Sequence, residues 1–132
     1  MHRFSLIPGS WAILKLSAEA PVPEWATMSK DFFAVTRTRE ELSVICPAAD
    51  VPSVHDNGIR WSLIKVEGPF SFAEIGVLAS FGTPLANAGI SIIAVSTHDT
   101  DYILIRAHDE AAARQSLILA GHRYVTGNGG DT

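Results

Sequence analysis

Short, mostly apolar runs dominate this chain, and two longer stretches between them carry a helical rhythm. Trp11 to Ser17, Phe32 to Thr38, Leu42 to Pro47, Arg60 to Val66, Ile90 to Ser96 and Asp101 to Ala107 have the β-rich composition of strands. Pro21 and Pro23 leave room for one helical turn at Glu24 to Met28. The polar turn Arg39-Glu40-Glu41 joins two of the strands as a hairpin, and Asp50 to Gly58, with Pro52 and the signal Asp56-Asn57-Gly58, is a connector. Ser71-Phe72-Ala73-Glu74 has the residue types of a capping box, and Leu78, Phe81, Leu85 and Ala88 recur on one helical face behind it. Gly82-Thr83-Pro84 interrupts that face, so the reading expects a kink or a break there, with Thr83 as a new N-cap. Gly89 ends the segment, and the strand after it is expected to be buried on at least one face. Asp109 is read as the cap of a helix from Glu110 to Ala120, closed by Gly121, with a last short strand at His122 to Val125.

The chain also repeats itself. Trp11-Ala12-Ile13-Leu14-Lys15-Leu16 reappears as Trp61-Ser62-Leu63-Ile64-Lys65-Val66, fifty residues on. Ala34-Val35-Thr36 reappears as Ala94-Val95-Ser96, and Leu42-Ser43-Val44-Ile45 as Tyr102-Ile103-Leu104-Ile105, sixty residues on. Two tandem modules follow from this: a truncated one over 1–58 and a full one over 59–132, whose tail at 126–132 is expected to be mobile. The full module reads βαββαβ, an α+β, ferredoxin-like plan with two helices on one face of an antiparallel sheet. Paired modules with a pseudo-symmetric cleft favour binding over chemistry.

Composition narrows the partners. A chain of 132 residues, 47% hydrophobic and 18% charged, belongs with compact globular proteins and not with disordered ones. Its net charge of −4 and scattered Lys and Arg exclude a phosphate-backbone footprint, so no nucleic acid is expected. The N-terminal stretch has no apolar run long enough for a signal peptide or membrane span, which gives a cytoplasmic protein with no membrane partner as the expectation. Cys46, at the end of a strand, reads as a small buried thiol, with catalysis as the remote alternative.

Gly76-Val77-Leu78 on a helix, Pro84-Leu85-Ala86, and Ala88-Gly89-Ile90-Ser91-Ile92 entering a strand resemble the ACT domain. The most specific stretch, Ser96 to Ile105, resembles the Ser-Thr-x-x-Thr-Asp-x-x-Leu-Val hairpin of a subgroup with paired ACT modules. Related modules occur in lysine-sensitive aspartate kinases and in a cytosolic arginine sensor. The resemblance covers Arg60 to Tyr124, and reaches Trp11 to Val51 only through the internal repeat. It implies a regulatory, non-catalytic module that binds a small molecule, typically an amino acid, near the loop after the first strand and often at a module or subunit interface. Mapped here, the implied ligand residues are Gly68, Pro69, Phe70, Ser71, Phe72, Gly76 and Val77, with Ser96, Thr97, Asp99, Thr100 and Asp101 approaching from the sheet. The first copy departs from the pattern: its hairpin reads Thr36-Arg37-Thr38-Arg39-Glu40-Glu41, which leaves a second, equivalent site without support.

Chemistry alone reaches a compatible place. A helix starting at Ser71 offers unpaired N–H groups to a carboxylate, and Gly68 allows close approach to the backbone. Asp99 and Asp101 could oppose an ammonium group, while Ser96 and Thr97 offer hydroxyls. Taken singly, each of these residues has an equally good structural role as a cap or turn former. Three other constellations compete. Ser96, His98 and Asp99 have the residue types of a hydrolase triad, but neighbours on one turn seldom meet the geometry. The five histidines include no close ligand pair and there is no CxxC, so neither a metal nor a cofactor is expected, and Asp99-Thr100-Asp101 lacks the further oxygens of a calcium loop. Trp11 and Trp61, at equivalent strand starts, read as matched core or interface residues, and Trp25 as a lid or a contact surface. Edge strands left by such sheets make a homodimer reasonable, and the rival function is a protein-interaction module acting on a regulated enzyme.

Overall fold

The computed structural model describes residues 2–67 and 76–126. The capping box at Ser71 and Glu74 and the tail beyond Thr126 lie outside the described residues. Seven strands form, β1 (Arg3–Leu16), β2 (Ala34–Arg37), β3 (Leu42–Pro47), β4 (Trp61–Val66), β5 (Ile92–Ser96), β6 (Asp101–Arg106) and β7 (Arg123–Tyr124), with two α-helices, α1 (Val77–Asn87) and α2 (Glu110–Leu119). The chain divides into two compact units: unit 1, Met1–Pro8 with Ser62–Thr132, and unit 2, Gly9–Trp61.

Unit 1 is an α+β, ferredoxin-like module. Its strands run β7, β1, β4, β6, β5, the first residues of β1 standing between β4 and β7. Those residues were not expected to form a strand. They do so because both edges of the backbone find partners: the Glu67 N–H donates to the Arg3 carbonyl at 2.9 Å, and the N–H groups of Arg123 and Val125 donate to His2 and Phe4 at 3.0 and 2.8 Å. The insertion makes β7 parallel to β1, a departure from the all-antiparallel expectation, while β5 and β6 pair antiparallel. Phe4, Ile64, Val66, Ile103 and Ile105 from the strands and Val77, Phe81, Leu85, Ala113 and Leu117 from the helices close one core. Val77 takes the core position expected of Leu78, which is half-buried, and Ala88 is exposed at the end of the helix. Gly89 (φ +76°) then supplies the left-handed turn into β5. Ile90 and Ile92 give the segment one face on the core, as expected, while Ile93 and Ala94 are exposed at a sheet edge beyond which nothing described pairs.

α1 runs unbroken through Pro84, where a kink or restart was expected. Proline at position 84 removes the N–H that would reach the Ser80 carbonyl. His122 replaces it: Nε2 lies 2.8 Å from the Ser80 oxygen, Nδ1 accepts the His2 N–H at 3.3 Å, and the ring stacks on Phe81 at 3.9 Å. The two ring nitrogens thus meet a carbonyl on one side and an amide N–H on the other, which fixes the orientation of the ring. α2 begins after Asp109 as expected, but the Asp109 side chain makes no capping bond; Glu110 in the first turn instead accepts from buried Ser62 at 2.6 Å.

Unit 2 orders its strands β2, β3, β1, all antiparallel. Its described helical parts are three short 3₁₀ turns, at Glu24–Thr27 between β1 and β2 and at Ala48–Asp50 and Ser53–His55 in the connector. Ala12, Leu14, Ala26, Val44 and Cys46 form the core, against which Trp25 packs as a lid, its ring 5.5 Å from that of His55. Trp11 is buried edge-on to Phe32, whereas Trp61 is half-buried, so the two tryptophans are not matched. The connector is pinned by a two-pronged Arg60–Asp56 pair (2.9 and 2.8 Å), and Asp56 also accepts the Gly58 N–H at 2.8 Å. The Arg60 hydrogen bonds, and then that of Gly58, hold the Asp56 carboxyl well below the usual carboxylate range.

The hairpins correct the repeat. Thr38 N–H donates to the Glu41 carbonyl at 2.9 Å and Thr97 N–H to the Thr100 carbonyl at 2.8 Å, so the two turns superpose fifty-nine residues apart. The last cross-strand pairs are accordingly Arg37–Leu42 and Ser96–Asp101, and Val44 and Cys46 face their core as Ile103 and Ile105 face theirs. The sixty-residue match followed the similar letters Ala-Val-Thr and Ala-Val-Ser, but hydrogen bonding at the turn sets hairpin register.

Two predictions follow from this packing. His122→Phe keeps the ring on Phe81 but removes the donor to the Ser80 carbonyl, and is expected to cost about 1–3 kcal/mol in urea unfolding. In a Pro84→Ala background, where residue 84 can donate to Ser80, the same change should cost about 1 kcal/mol less; an equal cost in both backgrounds would exclude the role given to His122. Burial, then the nearby Asp50 charge, pushes the Cys46 thiol up to about 11. Above about pH 9 the unfolded chain loses this proton while the folded chain keeps it, so stability falls between pH 9 and 11 by up to about 1.4 kcal/mol per pH unit. Comparing urea midpoints of the wild type and Cys46→Ala at pH 8 and 10.5 checks this, since the variant should lose less.

Candidate functional site

The polar end of unit 1 is built by three chain segments. β4 finishes at Val66, and Glu67 follows; α1 returns the chain and turns through Gly89 into β5. A Cβ at Gly82 in mid-helix would stand 3.7 Å from Ile92 Cδ1, which lays α1 along β5. The end of β5, and the hairpin that follows it, therefore lie where α1 begins.

At the hairpin, Ser96 and Asp101 form the last cross-strand pair, and the Ser96 hydroxyl donates to Asp101 Oδ1 at 2.6 Å. Thr97 closes the turn with its own side chain, donating to the Thr100 carbonyl at 3.0 Å and accepting the Thr100 N–H at 3.2 Å. Asp99 instead meets His98 Nδ1 at 2.7 Å, in solvent. The geometry thus separates the predicted residues: Ser96 and Asp101 form a corner, Thr97 and Thr100 hold its shape, and Asp99 points away with His98. The Ser96 proton is committed to Asp101, so the triad arrangement with His98 does not form.

α1 begins at Val77, after Gly76 in the left-handed region (φ +78°), with no side-chain cap among the described residues. The Ser80 N–H makes the first helical bond, to the Gly76 carbonyl at 2.9 Å, leaving the N–H groups of Val77, Leu78 and Ala79 as the helix's polar end. Val77 sends its side chain into the core, so only its backbone can face a ligand. Gly68, Pro69, Phe70, Ser71 and Phe72 lie outside the described residues.

One residue escaped the sequence reading. Glu67, half-buried at the end of β4, accepts from the buried Ser5 hydroxyl at 2.8 Å. Neither Glu67 nor Asp101 has an ion-pair partner among the described residues, so two carboxylates, each held by one serine hydroxyl, belong to this end of the unit. The signal was present in Ser5, but without a strand assigned to residues 3–8 nothing placed it near position 67. Among the described residues, no three His, Cys, Asp or Glu side chains come together as a metal site, and no helix is long and apolar enough to cross a membrane.

Comparison with known proteins locates the chain. A family model for the ACT domain matches residues 58–118, and a model for an N-terminal domain matches residues 9–54. A crystal structure from Agobacterium tumefaciens is 35% identical, covers 95% of this chain and 92% of its own, and superposes with a TM-score of 0.85. The human cytosolic arginine sensor for mTORC1, subunit 1, is 28% identical over 97 residues, which are 67% of this chain; the chain spans 28% of the length of that relative. Aspartate kinase from Clostridium acetobutylicum, an allosteric enzyme, shares the fold, with a TM-score of 0.61 at 10% identity over 89% of this chain and 33% of the kinase. Residues 58–118 of this chain therefore belong to the ACT domain family, within a fold shared nearly full-length with the Agobacterium tumefaciens relative.

Proposed function

We propose that this protein is a non-catalytic regulatory or sensor protein that binds a small molecule, an amino acid, at the polar end of unit 1. The observation that carries the reading is the Ser96–Asp101 corner at the end of the unit where α1 begins. An α-amino acid bears an ammonium and a carboxylate on one carbon. Asp101, with no described ion-pair partner, suits the first, and the N–H groups of α1, which have no side-chain cap among the described residues, suit the second. Ser96, Thr97, Thr100, Gly76 and Val77 complete the site on this reading, and Asp99 is peripheral to it. The arginine-sensing relative and the allosteric kinase support an amino acid as the ligand class.

A second reading has one observation behind it. β5 is an apolar sheet edge without a charged residue, the kind of edge that pairs with another chain, and it suits a module whose partner is a regulated enzyme or a second copy.

Thermal unfolding against the standard amino acids at millimolar concentration separates the two. A ligand at a hundredfold excess over its dissociation constant stabilises the folded state by about 2.7 kcal/mol, a midpoint shift of several degrees. The expected result is a selective shift that disappears in Asp101→Asn and largely survives in Asp99→Asn. A flat response to every amino acid would transfer the weight to the protein-interaction reading.

A further inference from the structure

Unit 2 carries a cation of its own at the counterpart of this site. With the hairpins aligned fifty-nine residues apart, the Ser96–Asp101 corner corresponds to Arg37–Leu42. With the first strands aligned fifty residues apart, the loop that starts at Glu67 corresponds to the one that starts at Ser17. Arg37 spans these two elements. Its Nη1 donates to the Ala18 carbonyl and its Nη2 to the Ala20 carbonyl, the latter at 2.7 Å. The turn closed by Ala20 N–H on the Ser17 carbonyl, at 3.0 Å, brings both acceptors within reach of one planar fork. No carboxylate pairs with Arg37 among the described residues, so the two carbonyls are what its guanidinium binds.

Unit 1 answers the same position differently. Ser96 stands where unit 2 has Arg37, and its hydroxyl is spent on Asp101. Leu42, where unit 1 has Asp101, is fully buried in unit 2 and offers no charge.

We infer that the carbonyls of Ala18 and Ala20 form a guanidinium seat in unit 2, and that Arg37 occupies it as a built-in ligand. The seat is the counterpart of the amino-acid site proposed for unit 1 and rests on that reading only for this correspondence. Tethering gives Arg37 an effective concentration in the millimolar range or above, so a free guanidinium compound does not displace it. Once Arg37 is removed, the seat is open to small guanidinium ions and rejects ammonium ions, which lack the flat two-pronged donor set.

The test uses the full chain and methylguanidinium, with methylammonium as the control. Arg37→Ala and Arg37→Lys are each expected to lower the unfolding midpoint by about 1–4 °C, because Lys restores the charge but not the fork. Tens of millimolar methylguanidinium should raise the Arg37→Ala midpoint relative to the wild type at the same concentration, and should move the amide resonances of 17–22 in a saturable way. Equal responses in wild type and variant, or equal recovery with methylammonium or by Arg37→Lys, would overturn the seat. No amino-acid ligand enters the experiment, so a failure of the sensor reading cannot be mistaken for a failure of this one.

Discussion

Unit 1 depends on four residues at the very start of the chain being held as a strand. His2 accepts from Arg123 and donates to His122, Arg3 accepts from Glu67, Phe4 accepts from Val125, and Ser5 donates to the Glu67 side chain. Phe4 meanwhile fills the core between Phe81 and Tyr124, 6.1 and 5.4 Å from their rings. A strand hydrogen-bonded on both edges is a central strand, and removing it would strip backbone partners from Glu67, Arg123 and Val125 at once. Through His122 the same segment reaches the Ser80 carbonyl that Pro84 leaves without a donor. The polar end of the unit, the helix that begins there and the last strand thus share one support.

That support also marks where the sequence could be read and where it could not. Leu42–Pro47 and Trp61–Val66 announced themselves as strands because their apolar runs are continuous and bounded by turn residues. Residues 3–8 did not, since Pro8 and Gly9 look like a terminator and only long-range pairing makes the segment a strand. The passage through Pro84 was equally invisible, because the compensating donor lies thirty-eight positions away on His122. Local chemistry predicted a break; a side chain from another element removed the reason for one.

At the candidate site the same division holds. The hairpin letters Ser-Thr-His-Asp-Thr-Asp pointed to the right turn, and the β-turn chemistry of Thr97 and Thr100 was legible in them. Which aspartate turns inward was not, because that follows from register: Asp101 lies across from Ser96, whereas Asp99 sits on the tip. Register likewise decides that Arg37 and Ser96 are counterparts. A one-residue slip would have matched Arg37 to Thr97, whose side chain serves its own turn, and hidden the contrast between the units.

The contrast has an energetic logic. Polar groups at the hairpin end of each unit need partners wherever they are buried. Unit 2 supplies them from within: a guanidinium meets two carbonyls, and the position across from it is a buried leucine that demands nothing. Unit 1 differs: a half-buried Asp101 accepts one hydroxyl bond, from Ser96, and has no ion-pair partner among the described residues. At matched hairpin positions, then, unit 2 pairs its polar side chain with backbone carbonyls and unit 1 pairs a hydroxyl with a carboxylate.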